Sequence, residues 1–235
     1  MHAQQKARYA NQIGIAPSTS TSTQINNSHV TKRIFIFGED GFTNITLANS
    51  LSMQGLDVIG ETDNESLTLN FVSQHLPEVT VLNIEYCHIK AIKLASVLRK
   101  KYPQMGIVVT CKTTDLRLLG INLKDLPIGI VIARLAKHSD LDNLKEAILT
   151  SVDLVDQEVK LDLFEDFSEV QIETFRLMAE GKANSEIAKL RFVSEKSVEQ
   201  MLARIAISMG LDFDRKNNQR VRLTNTYHEL INGKK

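Results

Sequence analysis

The sequence predicts two folds in tandem, an α/β unit with a parallel sheet and, after it, a small all-α unit. Three observations carry this expectation. Five strand-length apolar runs, RIFIF at 33–37, LDVIGE at 56–61, VTVLNI at 79–84, GIVVT at 106–110 and GIVIA at 129–133, are spaced at helix length. These runs lack the polar alternation of a half-exposed strand, so both faces of their sheet must be covered. From residue 167 onward the pattern is helical only, with a capping signal before each helix.

In chain order, residues 1–31 come first and include PSTSTSTQINNS, which is polar and has no apolar periodicity. Such a stretch cannot bury enough surface to offset its ordering entropy, and a disordered leader is expected. The chain has 235 residues, 43% hydrophobic and 24% charged, enough for two ordinary domains with a core each. No apolar run approaches the roughly 18 residues that cross a bilayer, and MHAQQKARYANQ lacks a signal-peptide core. A cytoplasmic protein without membrane contact is expected. Cys87 and Cys111 have neither C-x-x-C spacing nor clustered histidines around them. They read as two buried free thiols, with no metal, disulfide or cofactor implied. Charge is divided unevenly: residues 32–166 hold 14 basic and 19 acidic side chains, residues 167–235 hold 12 and 9. Any polyanion-binding end is therefore the C-terminal one.

The α/β unit is placed at 32–150. Its helices are marked by Ile45, Leu47, Ala48 and Leu51, by Leu67, Leu69, Phe71 and Val72, and by Ile89, Ile92, Leu94, Ala95 and Leu98, with LDNLKEAI after the last strand. The unit is expected to be (βα)5 with a flavodoxin-like strand order. In such sheets the working site lies beyond the carboxyl ends of the strands, here Gly38-Glu39-Asp40, Asn83, Thr110 and Ala133. None of these ends gathers a nucleophile with a base, so an enzyme is not expected.

The order and spacing of RIFIFGED, PEVTVLNIEY, GIVVTCK and GIVIARL resemble a response-regulator receiver domain. The resemblance implies that Gly38 and Glu39 stand where the family's acidic pair holds magnesium, and Asn83 where its aspartate accepts a phosphoryl group. Thr110 keeps the hydroxyl position, Ala133 takes the lysine position, and Ile130 that of the aromatic switch. An amide is a far poorer nucleophile than a carboxylate and gives Mg²⁺ no anionic oxygen. Phosphoryl transfer also needs cations to balance the charge of the moving group. A receiver fold that does not run the aspartyl-phosphate cycle is therefore expected. Asp40, one place past the pair, is expected to face away from the pocket.

After the join, Phe167-Ser168-Glu169-Val170-Gln171-Ile172 reads as a helix start, with Ser168 as cap, Gln171 returning to its amide, and Phe167 stapled on Ile172. The buried face then carries Ile172, Phe175 and Met178 or Ala179, and Gly181 supplies a left-handed stop. Asn184 is expected to cap a short helix with Ile187, Ala188 and Leu190 inward. Ser194 caps a longer one with Val198, Leu202, Ile205 and Met209 on one face, and a last helix is placed at Asn218–Ile231. Helix, turn, short helix, tight turn and long helix is helix-turn-helix geometry. FSEVQIETFRLMAEGKANSEIAKLRFVSEKSVEQMLARIAISMG is similar to the LuxR/NarL-type DNA-binding domain at Ser168, Glu173, Leu177, Gly181, Asn184, Glu186, Ile187, Ala188, Val193, Ser194, Ser197, Val198, Ile205 and Gly210. It departs at Gln171, Met201, Ser208-Met209 and the inverted pair Leu190-Arg191.

The resemblance places the reading helix at Ser194–Met209 and implies a transcription regulator of response-regulator architecture. Lys196, Ser197, Glu199, Gln200, Ala203 and Arg204 are the candidate contacts to double-stranded DNA. Gln200 suits adenine, Glu199 cytosine and Ala203 a thymine methyl. The helix is neutral, so phosphate neutralisation must borrow from Lys182, Lys189, Arg191, Arg215, Lys216, Arg220 and Arg222. The alternative is a protein-interaction adaptor of the same fold that has lost DNA binding. The join, 151–166, carries Val152, Val155, Val159 and Leu163 at helical spacing. That stripe suits a linker helix pairing with its copy in a homodimer, or one docking on either domain. A protein partner at the receiver face is a further expectation.

Overall fold

Parallel strands β1 (Arg33–Gly38), β2 (Asp57–Thr62), β3 (Val79–Asn83), β4 (Gly106–Cys111) and β5 (Ile130–Arg134) form one sheet in the order β2-β1-β3-β4-β5. This is the flavodoxin-like order expected. The computed structural model describes residues 31–84, 88–113, 115–161, 163–164, 167–211 and 218–234. The expected leader up to residue 30, together with Glu85, Cys87, Arg215 and Lys216, lies outside the described residues. The helices α1 (Gly41–Met53), α2 (Glu65–His75), α3 (His88–Lys101) and α4 (Leu141–Thr150) cover the sheet. Strand side chains alternate between two cores. Ile34, Ile36, Val79, Val81 and Val108 meet Leu47 and Leu51 of α1 and Leu144 and Ile148 of α4. Phe35, Phe37, Leu82, Ile107 and Val109 meet Val72 of α2 and Ile92, Ala95 and Leu98 of α3. Burying each large side chain here stabilises the fold by about 1.5–3 kcal/mol, which is why the strands tolerate no polar alternation.

The alternation is not a complete (βα)5. Between β4 and β5 stand two single 3-10 turns, Leu116–Leu119 and Leu123–Asp125, in place of an α-helix. The side chains of Asp115 and Asn122 each accept the amide two residues on, Arg117 and Lys124, both at 3.1 Å. Gly120, at φ +74°, ends the first turn, and Pro127 disfavours helix before β5. Local side-chain bonds outcompete a helix in so short a span.

Among the described residues of the join there is no linker helix either. Residues 151–157 run as successive turns and 158–161 as irregular chain. Val152 packs against the core shared by α1 and α4, and Val159 and Leu161 against the opposite one. Gly129, at φ +74°, donates its amide to Gln157 O at 2.9 Å, and Val155 lies so close to it that no side chain would fit there. The stripe docks on the α/β unit, one of its two expected fates.

The C-terminal region folds as α5 (Glu169–Ala179), α6 (Asn184–Arg191), α7 (Glu195–Ser208) and α8 (Gln219–Ile231). Ser168 and Gln171 exchange bonds as a capping box, Ser168 N donating to Gln171 Oε1 at 2.9 Å and Gln171 N to Ser168 Oγ at 3.3 Å. Gly181 turns the chain at φ +90°, and Ser194 Oγ accepts Ser197 N at 3.1 Å at the head of α7. The core joins Phe167, Ile172, Phe175, Met178, Ile187, Val198, Leu202, Ile205, Leu223 and Tyr227.

Two expectations fail within α6. Asn184 is its first residue and not its cap; Glu186 satisfies the Ala183 amide at 2.8 Å instead. Leu190 points outward, 57% exposed, while Arg191 turns in and pairs with Glu173 of α5. The inverted Leu190-Arg191 pair thus replaces an apolar contact by an ion pair between helices.

Candidate functional site

Sheet register sets Gly38 beside Asn83, Asn83 beside Thr110 and Thr110 beside Ala133, one row across the carboxyl ends. The Thr110 hydroxyl donates to Asn83 Oδ1 at 2.9 Å, and both side chains are buried. Asn44 of α1, fully buried, fills the space above Gly38. Its amide donates to Gly38 O at 2.7 Å and Thr62 O at 3.0 Å, and a side chain at position 38 would collide with its oxygen and with Asn83 Cβ. Glu39 is exposed to solvent, and Ala133 and Ile130 are buried. Asp40 caps α1, accepting the amides of Phe42 at 3.3 Å and Thr43 at 3.2 Å and the Thr43 hydroxyl. The Thr43 hydroxyl bond holds this carboxyl below its usual range. Burial pushes the Cys111 thiol up to about 12, so it stays protonated and inert at neutral pH. Among the described residues no cluster of His, Cys, Asp or Glu could hold a metal ion.

The expected contact residues of α7 share one side of that helix. Lys196, Ser197, Glu199, Gln200 and Arg204 are exposed and Ala203 is partly so, while Val198, Leu202, Ile205 and Ala206 face the core. Ser197 differs from the others, because its hydroxyl lies 2.9 Å from Ser194 Oγ and belongs to the cap. The borrowed cations divide in two. Lys182 and Lys189 are exposed. Arg220 instead holds the turn before α6 through Asn184 Oδ1 at 3.0 Å, Met178 O at 3.2 Å and Lys182 O, Arg191 is paired with Glu173, and Arg222 also has a partner. Sequence reasoning missed Phe192, 96% exposed at φ +54°, beside Leu190 and Val193 at the head of α7. A bulky residue at a tight turn between two helices was the available signal.

Thr31–Lys235 forms one compact unit, and the first 3-10 turn ties its α/β and helical parts together. Leu118 is fully buried within the helical core. Its carbonyl accepts the Tyr227 hydroxyl at 2.5 Å. Beside it, buried Asp115 clamps the Arg117 guanidinium at 2.7 Å, and that guanidinium donates to Phe167 O at 3.0 Å and Phe164 O at 3.2 Å. The Asp115 hydrogen bond raises the Arg117 pKa, so the guanidinium keeps its charge.

No family model matches the chain. It is 27% identical over 171 residues to the DNA-binding transcriptional activator DevR/DosR of Mycobacterium tuberculosis (strain ATCC 25618 / H37Rv), covering 67% of this chain and 78% of that protein. Among solved structures, two RcsB dimers bound to two parallel DNAs superimpose with a TM-score of 0.51 at 19% identity, over 86% of this chain and 99% of that one. The RcsB–DNA complex of the two-component response regulator gives 0.44 at 21% identity, over 84% and 98%. In fold and in order of parts the chain resembles a response-regulator transcription factor.

Proposed function

We propose that this chain, built like a NarL-type response regulator, is a DNA-binding transcription regulator whose receiver half, 32–150, is not phosphorylated. The observation that carries the reading is the exposed stripe Lys196, Glu199, Gln200, Ala203 and Arg204 on a helix anchored by its other face. In this reading α7 enters the major groove, where Gln200 and Glu199 reach base edges, and Lys182, Lys189, Lys196 and Arg204 meet phosphates. DevR/DosR being a DNA-binding activator and RcsB binding DNA as dimers support this, as does the position of α7 within 167–235. A cytoplasmic homodimer would set two reading helices about 34 Å apart, one DNA turn. The chain acts by binding and not as an enzyme. No helix among the described residues is long and apolar enough to cross a membrane.

The strand ends support an unphosphorylated receiver. The residues present do not fit a magnesium ion: Gly38 offers no ligand, Asn44 fills its space, and Asn83 brings a neutral amide where Mg²⁺ wants an anionic oxygen. With Ala133 in the lysine position, the cation that the receiver resemblance places there to balance a transferring phosphoryl group is missing. Acetyl phosphate with Mg²⁺ should therefore leave the intact mass of the protein unchanged. A phosphoryl adduct that disappears when a carboxylate following β1 or β3 in sequence is replaced, Asp40→Asn or Glu85→Gln, would reverse this half of the reading. The DNA half is tested by titrating binding to genomic fragments against salt, where a phosphate-contacting protein shows a steep slope of log K on log salt. The adaptor alternative has one observation on its side, the exposed apolar trio Leu190, Phe192 and Val193. A flat salt dependence would favour it.

A further inference from the structure

The strand-end row borders a cleft that the proposed function leaves unused. It lies between α1 and the start of α4, over the carboxyl ends of β3 and β4, and encloses about 400 Å³. That falls within the roughly 300–1,000 Å³ typical of small-molecule sites. Its walls are mostly apolar, with Phe42, Leu47, Ile84, Cys111, Leu135 and Leu141 outweighing Thr43, Thr46, Ser50 and Asn83. Phe42 stands at the rim in the first turn of α1, 78% exposed, an aromatic ring that folding alone leaves in water. The mouth carries Lys112, Lys137 and His138, and none of the described residues lining the cleft is acidic.

Two acids close to lining residues in sequence face their own backbone. Asp40 is committed to the amides and hydroxyl at the head of α1. Asp140 Oδ2 accepts Ala136 N at 2.8 Å and Lys137 N at 3.0 Å. The cleft thus offers apolar walls with Lys137 and His138 at its mouth. A phosphate-like ion would leave the apolar walls unused, and a neutral apolar molecule would leave Lys137 and His138 unused. We propose that the cleft binds a small amphipathic anion, an apolar body ending in a carboxylate or sulfonate, with the body on Phe42, Leu47 and Leu141 and the acid group at Lys137 and His138.

The far end of the chain rests on the same rim. Arg134 donates to Gly233 O at 2.9 Å, and Gly233 lies so close to Ala136 and Lys112 O that no side chain would fit. The turn after α8 therefore touches two residues that edge the cleft, and occupancy has a direct route to the helical part. Binding at the cleft does not depend on the DNA reading.

The test is a fluorescence titration of the full chain with anilinonaphthalenesulfonate, an apolar anion that brightens on leaving water. One equivalent should bind saturably, be displaced by octanoate, and resist octylamine. Thr46→Trp, which places a ring in the cleft from an exposed site on α1, and Lys137→Glu, which reverses a mouth charge, should each weaken binding at least ten-fold with unchanged melting temperature. Phe192→Ser, at a second exposed aromatic site, should leave it unchanged. The proposal falls if no saturable binding occurs, if octylamine competes as well as octanoate, or if Phe192→Ser abolishes binding while Thr46→Trp and Lys137→Glu do not. Should either cleft variant misfold, the other decides.

Discussion

Gln200 and Arg204 sit one turn apart on the same exposed face of α7, yet they should behave differently. Gln200 carries an amide that can donate and accept toward one base, so Gln200→Ala should cost about 1–3 kcal/mol on the cognate site and much less on random DNA. Arg204 carries only charge toward the backbone, so Arg204→Ala should weaken both DNAs about equally and flatten the salt slope by roughly one unit. Competition binding at several salt concentrations separates the two, and identical effects of both variants on cognate and random DNA would refute the assignment of Gln200. The orientation of these residues was legible in the sequence, because Ser194 sets the start of the helix and Val198, Leu202 and Ile205 set its phase. Leu190 was not. At the end of a helix of eight residues, a neighbour's tertiary choice, here Glu173 taking Arg191, decides which of two adjacent side chains turns in.

Whole elements were legible wherever apolar period and capping chemistry agreed. The five strands and the helices after β1, β2, β3 and β5 stand where alternating runs place them. The stretch between β4 and β5 escaped because it has the length and apolar content of a helix, while Asp115, Asn122, Gly120 and Pro127 dictate short turns. The join escaped for a related reason: Val152 and Val159 have helical spacing, but contacts with the two receiver cores outweigh the period. Capping chemistry can be tested directly at α5. Ser168→Ala removes one partner of the box and should lower stability by about 1 kcal/mol, with Gln171→Ala on that background adding little, since the two bonds form one unit. Chemical denaturation of the single and double variants measures this, and full additivity would show that the residues act separately.

Across α8, Tyr227 gives the pair of parts a pH dependence. Burial pushes its hydroxyl up to about 12, from an ordinary value of 10.0. A group whose folded value lies above its unfolded one stabilises fully below the unfolded value and loses that contribution as pH rises through the folded one. Stability linked to Tyr227 should thus be intact at pH 8 and decline between about pH 10 and 12. Tyr227→Phe should be weaker at pH 8 by about 1–3 kcal/mol, because Leu118 O loses its buried donor, and should then lose less than the parent as pH rises. Denaturation curves of the two proteins that fall in parallel above pH 10 would contradict this.

At the scale of the molecule, the receiver and helical parts share a core residue. Leu118 and Tyr227 are 109 positions apart, a distance over which no period or cap in the sequence carries information, so this junction was invisible until the fold was known. Leu116 and Leu118 are both fully buried and only two residues apart, but Leu116 enters the receiver core and Leu118 the helical one. Each truncation to alanine should cost about 2–5 kcal/mol by leaving a cavity. The location of the damage should differ. Leu116→Ala should speed amide exchange in β4 and α3, whose buried side chains share its core. Leu118→Ala lies in the receiver sequence yet should speed exchange in α5 and α8, because Phe175, Leu223 and Tyr227 share the core that loses a side chain. If α5 and α8 kept their protection in Leu118→Ala while only receiver amides opened, the two parts would be independently stable and merely touching. If α5 and α8 open as expected, the β4–β5 turn belongs energetically to the helical part, and any change at Thr110, five residues before Asp115, has a short covalent path to the helices that hold α7.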